Sequence, residues 1–286
     1  MPTKDYPERY AVFGNPVSHS LSPTIHALFA AQTGQDMAYE AICAPLDGFA
    51  DAVNMFITVG GGGGHGVAKG ANVTVPFKLE AFRLADGLTP RAAAAGAVNT
   101  LSFSSNGIQG DNTDGAGLVR DLTANLGMSL TGLRILLLGA GGAAQGVILP
   151  LQEQNPAVLF IANRTADKAH RLADLFGVTS GSFEELNQHT FDLVINATSA
   201  GLSDAVLPAP TFSATAFAYE MVYGVETSFM RAARAAGARV ADGLGMLVEQ
   251  AAEAFFVWRG VRPDTAPVLA ALRAELSANS SRAAQA

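Results

Sequence analysis

Residues 133–146, with the sequence LRILLLGAGGAAQG, decide which fold this chain can adopt. Within this stretch, the apolar run 135–138 predicts a short strand that is buried on both faces, as in a parallel sheet. The run leads directly into Gly139-x-Gly141-x-x-Ala144, which fits the glycine pattern of a turn that binds a dinucleotide. A second apolar run, 157–162, follows at the spacing expected for the next strand of such a unit.

Each position of this glycine pattern has a physical task. Gly139 permits the tight turn, Gly141 lets the backbone approach a pyrophosphate, and Ala144 lets the following helix pack close to the strand. The free N–H groups and the dipole at the start of that helix attract phosphates. An ordinary tight turn between a strand and a helix is the alternative interpretation.

The end of the second strand predicts which dinucleotide binds. Enzymes that use NAD usually place Asp or Glu here, where the carboxylate binds the ribose 2′-hydroxyl. This chain has Asn163, Arg164 and Thr165 instead, and Lys168 follows them. A positive, carboxylate-free strand end suits a 2′-phosphate and predicts NADP. The alternative is a basic helix start, which the helix dipole disfavours.

Composition argues against several other classes of protein. The 286 residues carry a net charge of −7, so a non-specific nucleic-acid surface is not expected. No apolar run reaches the ~18 residues that span a bilayer, and the polar N-terminus lacks a signal-peptide core. The single cysteine, Cys43, is expected to be buried, and no residues have the spacing of metal ligands. These observations predict a cytoplasmic enzyme that acts on small molecules, without a metal.

Alternating strands and helices predict an α/β fold. Strands predicted at 135–138, 157–162, 191–197 and 216–222 alternate with helices, which indicates a doubly wound sheet. Residues 60–66 are glycine apart from His65, which predicts a flexible surface loop to which we assign no function. The polar tail after Leu276 is expected to be frayed.

A loop rich in hydroxyl groups follows the first predicted strand, at 10–13. Ser22 precedes Pro23, which predicts that Ser22 caps a helix with proline at its first position. Capping does not explain Ser18 and Ser20, which lie in a loop at the carboxyl end of a strand. Such a loop could bind a carboxylate or a polyol, and from the residues alone binding and capping are equally open.

Lys78 is the most informative single residue of the chain. The sequence contains four lysines and fourteen arginines, so a position that needs only a positive charge is usually filled by arginine. The strand predicted at 71–75 and the helix predicted from Pro76 place Lys78 in a first helical turn, where the dipole disfavours a cation by about 0.3–1 kcal/mol. A lysine there suggests proton transfer, which arginine cannot perform. A solvated lysine is the alternative.

Polar residues elsewhere allow further predictions. Asp114 could cap the helix predicted at 116–125, or it could be the carboxylate that orients Lys78; sequence spacing does not decide. Gln250 lies on the apolar face of the helix predicted at 246–259 and therefore needs a buried polar partner. Glu249 and Glu253 lie on other faces of that helix and are expected to be solvated.

Seven stretches, taken in order, carry a family resemblance. They are Val12-Phe13-Gly14-Asn15-Pro16, Ser20-x-Ser22-Pro23, Asn72-Val73-Thr74-Val75-Pro76-Phe77-Lys78, Ala95-Gly96-Ala97-Val98-Asn99-Thr100, Gly110-Asp111-Asn112-Thr113-Asp114-Gly115, Asn163-Arg164-Thr165 and Asp242-Gly243-Leu244-Gly245-Met246-Leu247-Val248-x-Gln250. On these stretches the chain resembles the shikimate dehydrogenase family over almost its whole length.

The resemblance implies two α/β domains with separate tasks. A substrate-binding catalytic domain would consist of residues 1–113 and 243–286, and a Rossmann-type NADP-binding domain of residues 114–242 would be inserted between them. The implied reaction is reversible hydride transfer between NADP(H) and C3 of shikimate, giving 3-dehydroshikimate. This reaction belongs to aromatic amino acid biosynthesis through chorismate. The implied partners are the small-molecule substrate alone or also a second copy, since the chain would be a monomer or a homodimer.

The resemblance also assigns roles residue by residue. Lys78 and Asp114 would be the catalytic pair, with Lys78 passing the alcohol proton and Asp114 holding it in place. The substrate-binding residues would be Ser20 and Ser22 at the carboxylate and Thr74, Asn99 and Gln250 at the ring hydroxyls. The cofactor-binding residues would be Gly139, Ala140, Gly141, Gly142, Ala143, Ala144, Asn163, Arg164, Thr165, Lys168, Met221 and Gly243.

Four residues differ from the family pattern, namely Leu21, Lys168, Glu220 and Ser228. Glu220 and Ser228 replace a usual Asp and Pro near Tyr223, on the nicotinamide side. Two other functions remain open: a quinate/shikimate dehydrogenase that uses NAD, and a non-catalytic NADP-binding regulator on the same scaffold.

Overall fold

The computed structural model describes residues 6–59, 66–198, 200, 207–208 and 210–283, and in it the chain divides into two compact units. Unit 1 consists of Met1–Thr113 and Val248–Ala270, and unit 2 of Asp114–Leu247 and Ala271–Ala286. Over the described residues, each unit contains one six-stranded sheet with helices. The predicted architecture of two α/β units is therefore confirmed.

Unit 1 is built on a mixed sheet. Its strands, numbered in chain order, are β1 (Glu8–Gly14), β2 (Met37–Cys43), β3 (Ala68–Val73), β4 (Gly87–Leu88), β5 (Thr100–Ser104) and β6 (Gly107–Asp111). Their spatial order is β2-β1-β3-β5-β6-β4; β5 runs antiparallel to β3 and β6, and the other neighbours are parallel. The helices are α1 (Ser22–Thr33), α2 (Phe49–Val59), α3 (Lys78–Leu84) and α4 (Pro90–Ala95).

Unit 2 is built on a fully parallel sheet. Its strands are β7 (Arg134–Leu138), β8 (Val158–Ala162), β9 (Thr179–Gly181), β10 (Thr190–Asn196), β11 (Thr211–Glu220) and β12 (Arg239–Asp242), in the spatial order β9-β8-β7-β10-β11-β12. The helices are α5 (Asp114–Arg120), which continues as a π-helical turn at Asp121–Asn125, α6 (Gly142–Gln152), α7 (Ala166–Phe176) and α8 (Ser228–Ala235). This strand order is that of a doubly wound, Rossmann-type sheet.

The central strand β7 is buried on both faces, as its apolar sequence predicts. Ile135 and Leu137 pack into one apolar core, whereas Leu136 and Leu138 pack into another. This division follows from strand geometry, because successive side chains point to opposite faces of a sheet. Helices on both sides of the sheet are therefore needed to bury a continuous apolar run.

Two long C-terminal helices, α9 (Leu244–Arg259) and α10 (Thr265–Ala283), contain residues of both units. The family resemblance implies that all of 243–286 belongs with the substrate-binding part; by compactness, residues 243–247 and 271–286 group with unit 2. The reason lies in their packing. Met246 joins the apolar core of unit 2, and Arg273 forms an ion pair with Asp242 at the end of β12.

The start of α1 differs from the sequence prediction. Ser22 is the first residue of the helix and does not cap it; Leu21 occupies the cap position. The hydroxyl of Ser20 instead accepts a hydrogen bond from the Ser22 backbone N–H at 3.3 Å. The Ser20 hydroxyl thus satisfies an N–H group at the helix start, a role that the sequence predicts for Ser22. Residues 60–65 of the predicted glycine-rich loop lie outside the described residues.

Several predictions of exposure were wrong. Glu249 is buried on α9 and accepts a hydrogen bond from the Thr265 hydroxyl at 2.6 Å, and Glu253 is half-buried in ion pairs. The tail after Leu276 continues as helix α10 to Ala283. Cys43 is exposed because it ends β2, which is an edge strand of its sheet. Glu249 and, in part, Glu253 are buried by partners that the local pattern does not show, namely Thr265, Arg91 and Arg262.

One titratable side chain of unit 1, that of His26, is fully buried among aromatic rings. It lies on α1 with no exposed surface, and its ring stacks on Tyr39 with the centroids 4.2 Å apart. Phe255 and the single tryptophan, Trp258, lie within about 6 Å of the same ring. Burial lowers the pKa of His26 from 6.5 to about 3, because desolvation disfavours the charged imidazolium.

This burial predicts that stability falls as the pH decreases from 6.5 towards 3. In that window the unfolded chain binds a proton at His26 that the folded chain does not bind, so acid favours unfolding. We expect a loss of about 2 kcal/mol between pH 7 and pH 5, from about 1.4 kcal/mol for each pH unit. His26→Phe keeps an aromatic ring without the titration, and should remove this part of the pH dependence.

The measurement is urea unfolding at both pH values, followed by the fluorescence of Trp258, which packs in the same unit. His170→Phe, which removes an exposed histidine of unit 2, is the control and should keep the wild-type pH dependence. A His26→Phe variant that loses as much stability as the wild type between pH 7 and 5 would contradict the assignment.

Candidate active site

The glycine turn after β7 has the geometry that a bound pyrophosphate requires. Gly139 has a φ of +113°, and a Cβ there would lie 3.1 Å from the Ala197 carbonyl group, so only glycine fits without strain. Gly141 precedes α6, and Cβ atoms added at Gly141 or Gly142 would meet nothing within 4 Å. The backbone at the start of α6 is therefore open to close approach on its Cβ side, and free N–H groups at a helix start are suited to donate hydrogen bonds to phosphate oxygens.

This turn lies at the point where the strand order of unit 2 reverses direction. The chain runs from β7 outwards to β8 and β9, then returns to β10 on the other side of β7. In doubly wound sheets, ligands bind at the carboxyl ends of the two strands on either side of such a reversal, which are here β7 and β10. Gly139 and Ala197, the first residues after these strands, lie next to each other.

The residues predicted to select NADP follow the neighbouring strand. The Gly139 backbone N–H donates to the Ala162 carbonyl at 2.8 Å, so the two strand ends lie side by side. Beyond Ala162, the Asn163 side chain donates to the Thr165 carbonyl at 3.0 Å and closes a short turn. Arg164 and Lys168 are exposed after this turn. Their charges are thus available to a phosphate group, which fits a 2′-phosphate.

Met221 and Gly243 come together at the ends of β11 and β12. Gly243 donates its backbone N–H to the Val222 carbonyl at 3.2 Å, and a Cβ at Gly243 would collide with the Met221 carbonyl. The Met221 backbone N–H donates to the Asn196 carbonyl at 3.0 Å. The two residues therefore lie at the same edge of the sheet as the glycine turn, as expected for residues of one cofactor site.

A buried carboxylate fixes the segment that contains Met221. Glu220 accepts hydrogen bonds from the Asn196 side chain at 2.7 Å, the Thr227 hydroxyl at 2.9 Å and the Val222 backbone N–H at 3.2 Å. Burial raises the pKa of Glu220, while these donors oppose the shift. Glu220, which differs from the family pattern, thus has hydrogen-bond partners on β10 and in the chain after β11. Sequence spacing does not predict these partners.

In unit 1, a cluster of polar side chains surrounds Asn99. The Thr113 backbone N–H donates to the Asn99 side-chain oxygen at 2.8 Å, and the Asn99 amide donates back to the Thr113 hydroxyl at 3.0 Å. The Gln250 side-chain oxygen lies 3.4 Å from both the Asn99 amide and the Thr113 hydroxyl. The prediction that Gln250 has polar partners on its apolar stripe is therefore confirmed, and Thr113 is a member that the sequence analysis missed.

Asn72 and Tyr39 extend this cluster and were also missed. Asn72 is buried on β3; its oxygen accepts from the Tyr39 hydroxyl at 2.7 Å, and its amide donates to the Thr100 hydroxyl at 3.2 Å and the Asn99 carbonyl at 3.3 Å. Burial raises the pKa of Tyr39, and a hydrogen bond with Ser22 opposes this shift. The available signal was an asparagine between the apolar residues Ala71 and Val73 of a predicted strand, because a polar side chain that is buried in a sheet must find partners.

The remaining predicted substrate residues follow strands that end at the same edge. The loop after β1 contains Ser20, and the loop after the parallel neighbour β3 contains Thr74. A Cβ on Gly14, the last residue of β1, would collide with the Thr74 side chain, so the two loops are adjacent. Lys78 is half-buried at the start of α3, and its carbonyl accepts from the Val98 backbone N–H at 3.0 Å.

Asp114 directly follows Thr113 in the chain and is the first residue of α5. It is buried and belongs to unit 2, whereas Lys78 belongs to unit 1. The pairing of these two residues therefore stays a prediction.

The described part of the chain contains no cluster of three or more His, Cys, Asp or Glu residues that could hold a metal ion. It also contains no helix long and apolar enough to cross a membrane.

Family models match three parts of the chain. Residues 12–101 match the shikimate dehydrogenase substrate binding domain, residues 121–207 match shikimate / quinate 5-dehydrogenase, and residues 243–273 match the shikimate 5'-dehydrogenase C-terminal domain. The first and third matches include every substrate residue predicted above, and the second includes the glycine turn.

Individual proteins match over nearly their full length. Shikimate dehydrogenase (NADP(+)) of Dechloromonas aromatica is 62% identical over 277 residues, which cover 94% of this chain and 98% of that relative. The crystal structure of an Ael1 enzyme from Pseudomonas putida has a TM-score of 0.85 at 46% identity, covering 93% of this chain and 98% of its own. Shikimate 5-dehydrogenase of Thermus thermophilus, solved with NADP(H) and shikimate, has a TM-score of 0.81 at 35% identity, with the same coverage. The chain therefore belongs to the shikimate dehydrogenase family.

Proposed function

We propose that this protein is an NADP-dependent oxidoreductase that interconverts shikimate and 3-dehydroshikimate by hydride transfer, in the biosynthesis of aromatic amino acids. The observation that carries the proposal is the 62% identity to a shikimate dehydrogenase (NADP(+)) over 98% of that relative's length. The test is a steady-state assay of the purified protein with shikimate or quinate, each with NADP+ or NAD+. The proposal requires the pair of shikimate and NADP+ to give the highest kcat/KM.

The alternatives differ from this function in cofactor or in activity. A quinate/shikimate dehydrogenase that uses NAD would need a carboxylate at the ribose 2′-hydroxyl, but residues 163–165 carry none. A non-catalytic NADP-binding regulator would not need the Lys78 and Asp114 pair, and relatives that are 59–62% identical to this chain carry the name of an enzyme. The four-way assay separates all three functions, because the regulator would turn over none of the pairs.

Unit 2 would hold the cofactor along the carboxyl edge of its sheet. The open backbone of the glycine turn and the start of α6 would bind the pyrophosphate. Arg164 and Lys168 would bind the 2′-phosphate, and the Met221 and Gly243 backbone would lie at the nicotinamide. The nicotinamide supplies the hydride chemistry when NADP is bound. The protein supplies binding, orientation and the path of the proton.

Unit 1 would hold the substrate. The hydroxyl groups of Ser20 and Ser22 would bind the shikimate carboxylate, and Thr74, Asn99 and Gln250 would bind the ring hydroxyls. Lys78 would take the proton of the reacting hydroxyl during oxidation and return it during reduction. Asp114 would hold the ammonium group of Lys78 in place.

The proposal includes a cytoplasmic location and a monomer or homodimer. The exposed thiol of Cys43 suits a reducing compartment. Light scattering of the purified protein distinguishes the two assembly states.

The first functional prediction concerns cofactor choice. Arg164→Ala should raise the KM for NADP+ about 10- to 100-fold and leave that for NAD+ nearly unchanged, because a charge-assisted bond to a phosphate is worth about 1.5–3 kcal/mol. Arg239→Ala is the matched control, since Arg239 is an exposed arginine at the opposite end of a strand in the same sheet. Equal losses with both cofactors would sink the assignment.

The second prediction concerns Gln250. Gln250→Ala should lower kcat/KM for shikimate about 5- to 150-fold, since leaving buried polar groups unpaired costs about 1–3 kcal/mol. The KM for NADP+ should stay within about twofold. Gln109→Ala, at an exposed position of the same unit, is the control. A variant that melts at a lower temperature but keeps full activity for each folded molecule would make Gln250 a structural residue.

The third prediction concerns proton transfer. Lys78→Arg should lower kcat roughly 10²–10⁴-fold although the charge is retained, because arginine does not release its proton near neutral pH. Lys69→Arg is the matched control; Lys69 lies on the strand before the Lys78 loop and pairs with Glu8. Kinetics across pH, with folding checked by circular dichroism, give the answer. A Lys78→Arg enzyme with only a raised KM would show that Lys78 is a binding cation.

A further inference from the structure

Arg91, in the first turn of α4, makes a two-pronged contact with a buried carboxylate. Its Nε and Nη2 atoms donate to the two oxygens of Asp111 at 2.6 and 2.7 Å. Asp111 also accepts from the Thr89 hydroxyl at 2.6 Å and from the Asn112 backbone N–H at 2.7 Å. Arg91 holds the pKa of Asp111 below its usual range against the effect of burial, so the carboxylate is ionised at neutral pH.

The third nitrogen of the same guanidinium group reaches helix α9. Nη1 of Arg91 donates to Glu253 at 2.9 Å, and the other oxygen of Glu253 accepts from Arg262 at 2.5 Å. Arg91 therefore joins the last residue of β6 to α9 through one rigid, planar group. A lysine could not make these three contacts, since its ammonium is a single point of charge.

Both ends of this bridge lie next to proposed substrate residues. Asp111 is two residues before Thr113, and its carbonyl accepts from the Asn99 backbone N–H at 3.0 Å. Glu253 is three residues after Gln250, so the two side chains are neighbours on successive turns of α9, although the apolar pattern predicts different faces for them. The bridge therefore fixes both chain segments that meet at Gln250.

Two contacts of the Gln250 side chain are long for hydrogen bonds. Its side-chain oxygen lies 3.4 Å from both the Asn99 amide and the Thr113 hydroxyl, and hydrogen bonds weaken beyond about 3.2 Å. A shift of α9 by a few tenths of an ångström away from Asn99 and Thr113 would lengthen both of these contacts. Fixing the helix one turn away from Gln250 prevents that shift.

We propose that Arg91 is a positioning residue for the substrate site, which holds Gln250 against Asn99 and Thr113 by bridging Asp111 and Glu253. This inference rests on the proposed function, because it assigns the three positioned side chains to shikimate. It concerns substrate binding alone and leaves the cofactor site in unit 2 unchanged.

The first test compares Arg91→Lys with the same substitution at another arginine that pairs with an aspartate, in unit 2. Arg91→Lys should raise the KM for shikimate about tenfold and keep the KM for NADP+ within about twofold. Arg134→Lys is the matched control, because Arg134 forms the same two-pronged pair with Asp192 at the start of β7 in unit 2. It should lower the melting temperature similarly and leave the KM for shikimate unchanged.

The second test is a double-mutant cycle with Gln250→Ala. If Arg91 acts through Gln250, Arg91→Lys should change kcat/KM for shikimate less than twofold in the Gln250→Ala background. Glu253→Gln, which weakens only the α9 end of the bridge, should raise the KM for shikimate about threefold. This variant carries the test if Arg91→Lys does not fold.

Each outcome decides a different question. A wild-type protein that does not turn over shikimate with NADP+ refutes the proposed function. If the wild type is active, the inference is overturned by an unchanged KM for shikimate in Arg91→Lys and Glu253→Gln. The inference is also overturned if Arg91→Lys lowers kcat/KM for shikimate by the same factor with and without Gln250→Ala, because Arg91 would then not act through Gln250. It is overturned as well if Arg91→Lys raises the KM for NADP+ as much as the KM for shikimate, because the bridge would then not be specific to the substrate site.

Discussion

Both units depend on one geometric constraint, which is that neighbouring parallel strands end at the same edge of a sheet. In unit 2 this constraint places the glycine turn after β7 beside Asn163 and Ala197, with Met221 one strand further along the same edge, although these residues are far apart in the chain. In unit 1 it places the loop after β1 beside the loop after β3. The antiparallel strand β5 starts at this edge, so Asn99 joins the cluster from the opposite chain direction. The choice of strand order therefore determines which side chains can act together.

Burial of polar groups is the second requirement at both edges. Asn72, Asn99 and Thr113 are buried in unit 1, and Asn196 and Glu220 are buried in unit 2. An unpaired buried polar group costs about 1–3 kcal/mol, so such clusters persist only where donors and acceptors match. The hydrogen bonds among these side chains meet that requirement and also limit the orientation of each amide and hydroxyl group. A preorganised set of donors and acceptors needs little rearrangement when a polar ligand binds.

The sequence predicted those parts of the fold and site that depend on local chemistry. Gly139 and the apolar run of β7 identified the doubly wound sheet, because a few adjacent residues determine both the tight turn and the burial of the strand on both faces. Gln250 interrupts an apolar stripe, and this position predicted that its side chain has polar partners. The wrong predictions arose from distant contacts, as for Glu249, whose partner Thr265 lies on the next helix. The bridge from Arg91 to Glu253 spans 162 positions and has no local signal.

The exposed cysteine at the end of β2 has a practical consequence for spectroscopy. Cys43 is the only cysteine of the chain, and in the sheet register it pairs with Gly14 at the carboxyl end of β1. A thiol-reactive fluorophore would therefore attach at a single position without any engineered substitution. That position lies at the edge of the sheet from which the loop after β1, with Ser20, and the loop after β3, with Thr74, emerge. The natural sequence thus provides an optical probe beside the proposed substrate site, and its emission can be recorded while shikimate is added in the absence of turnover.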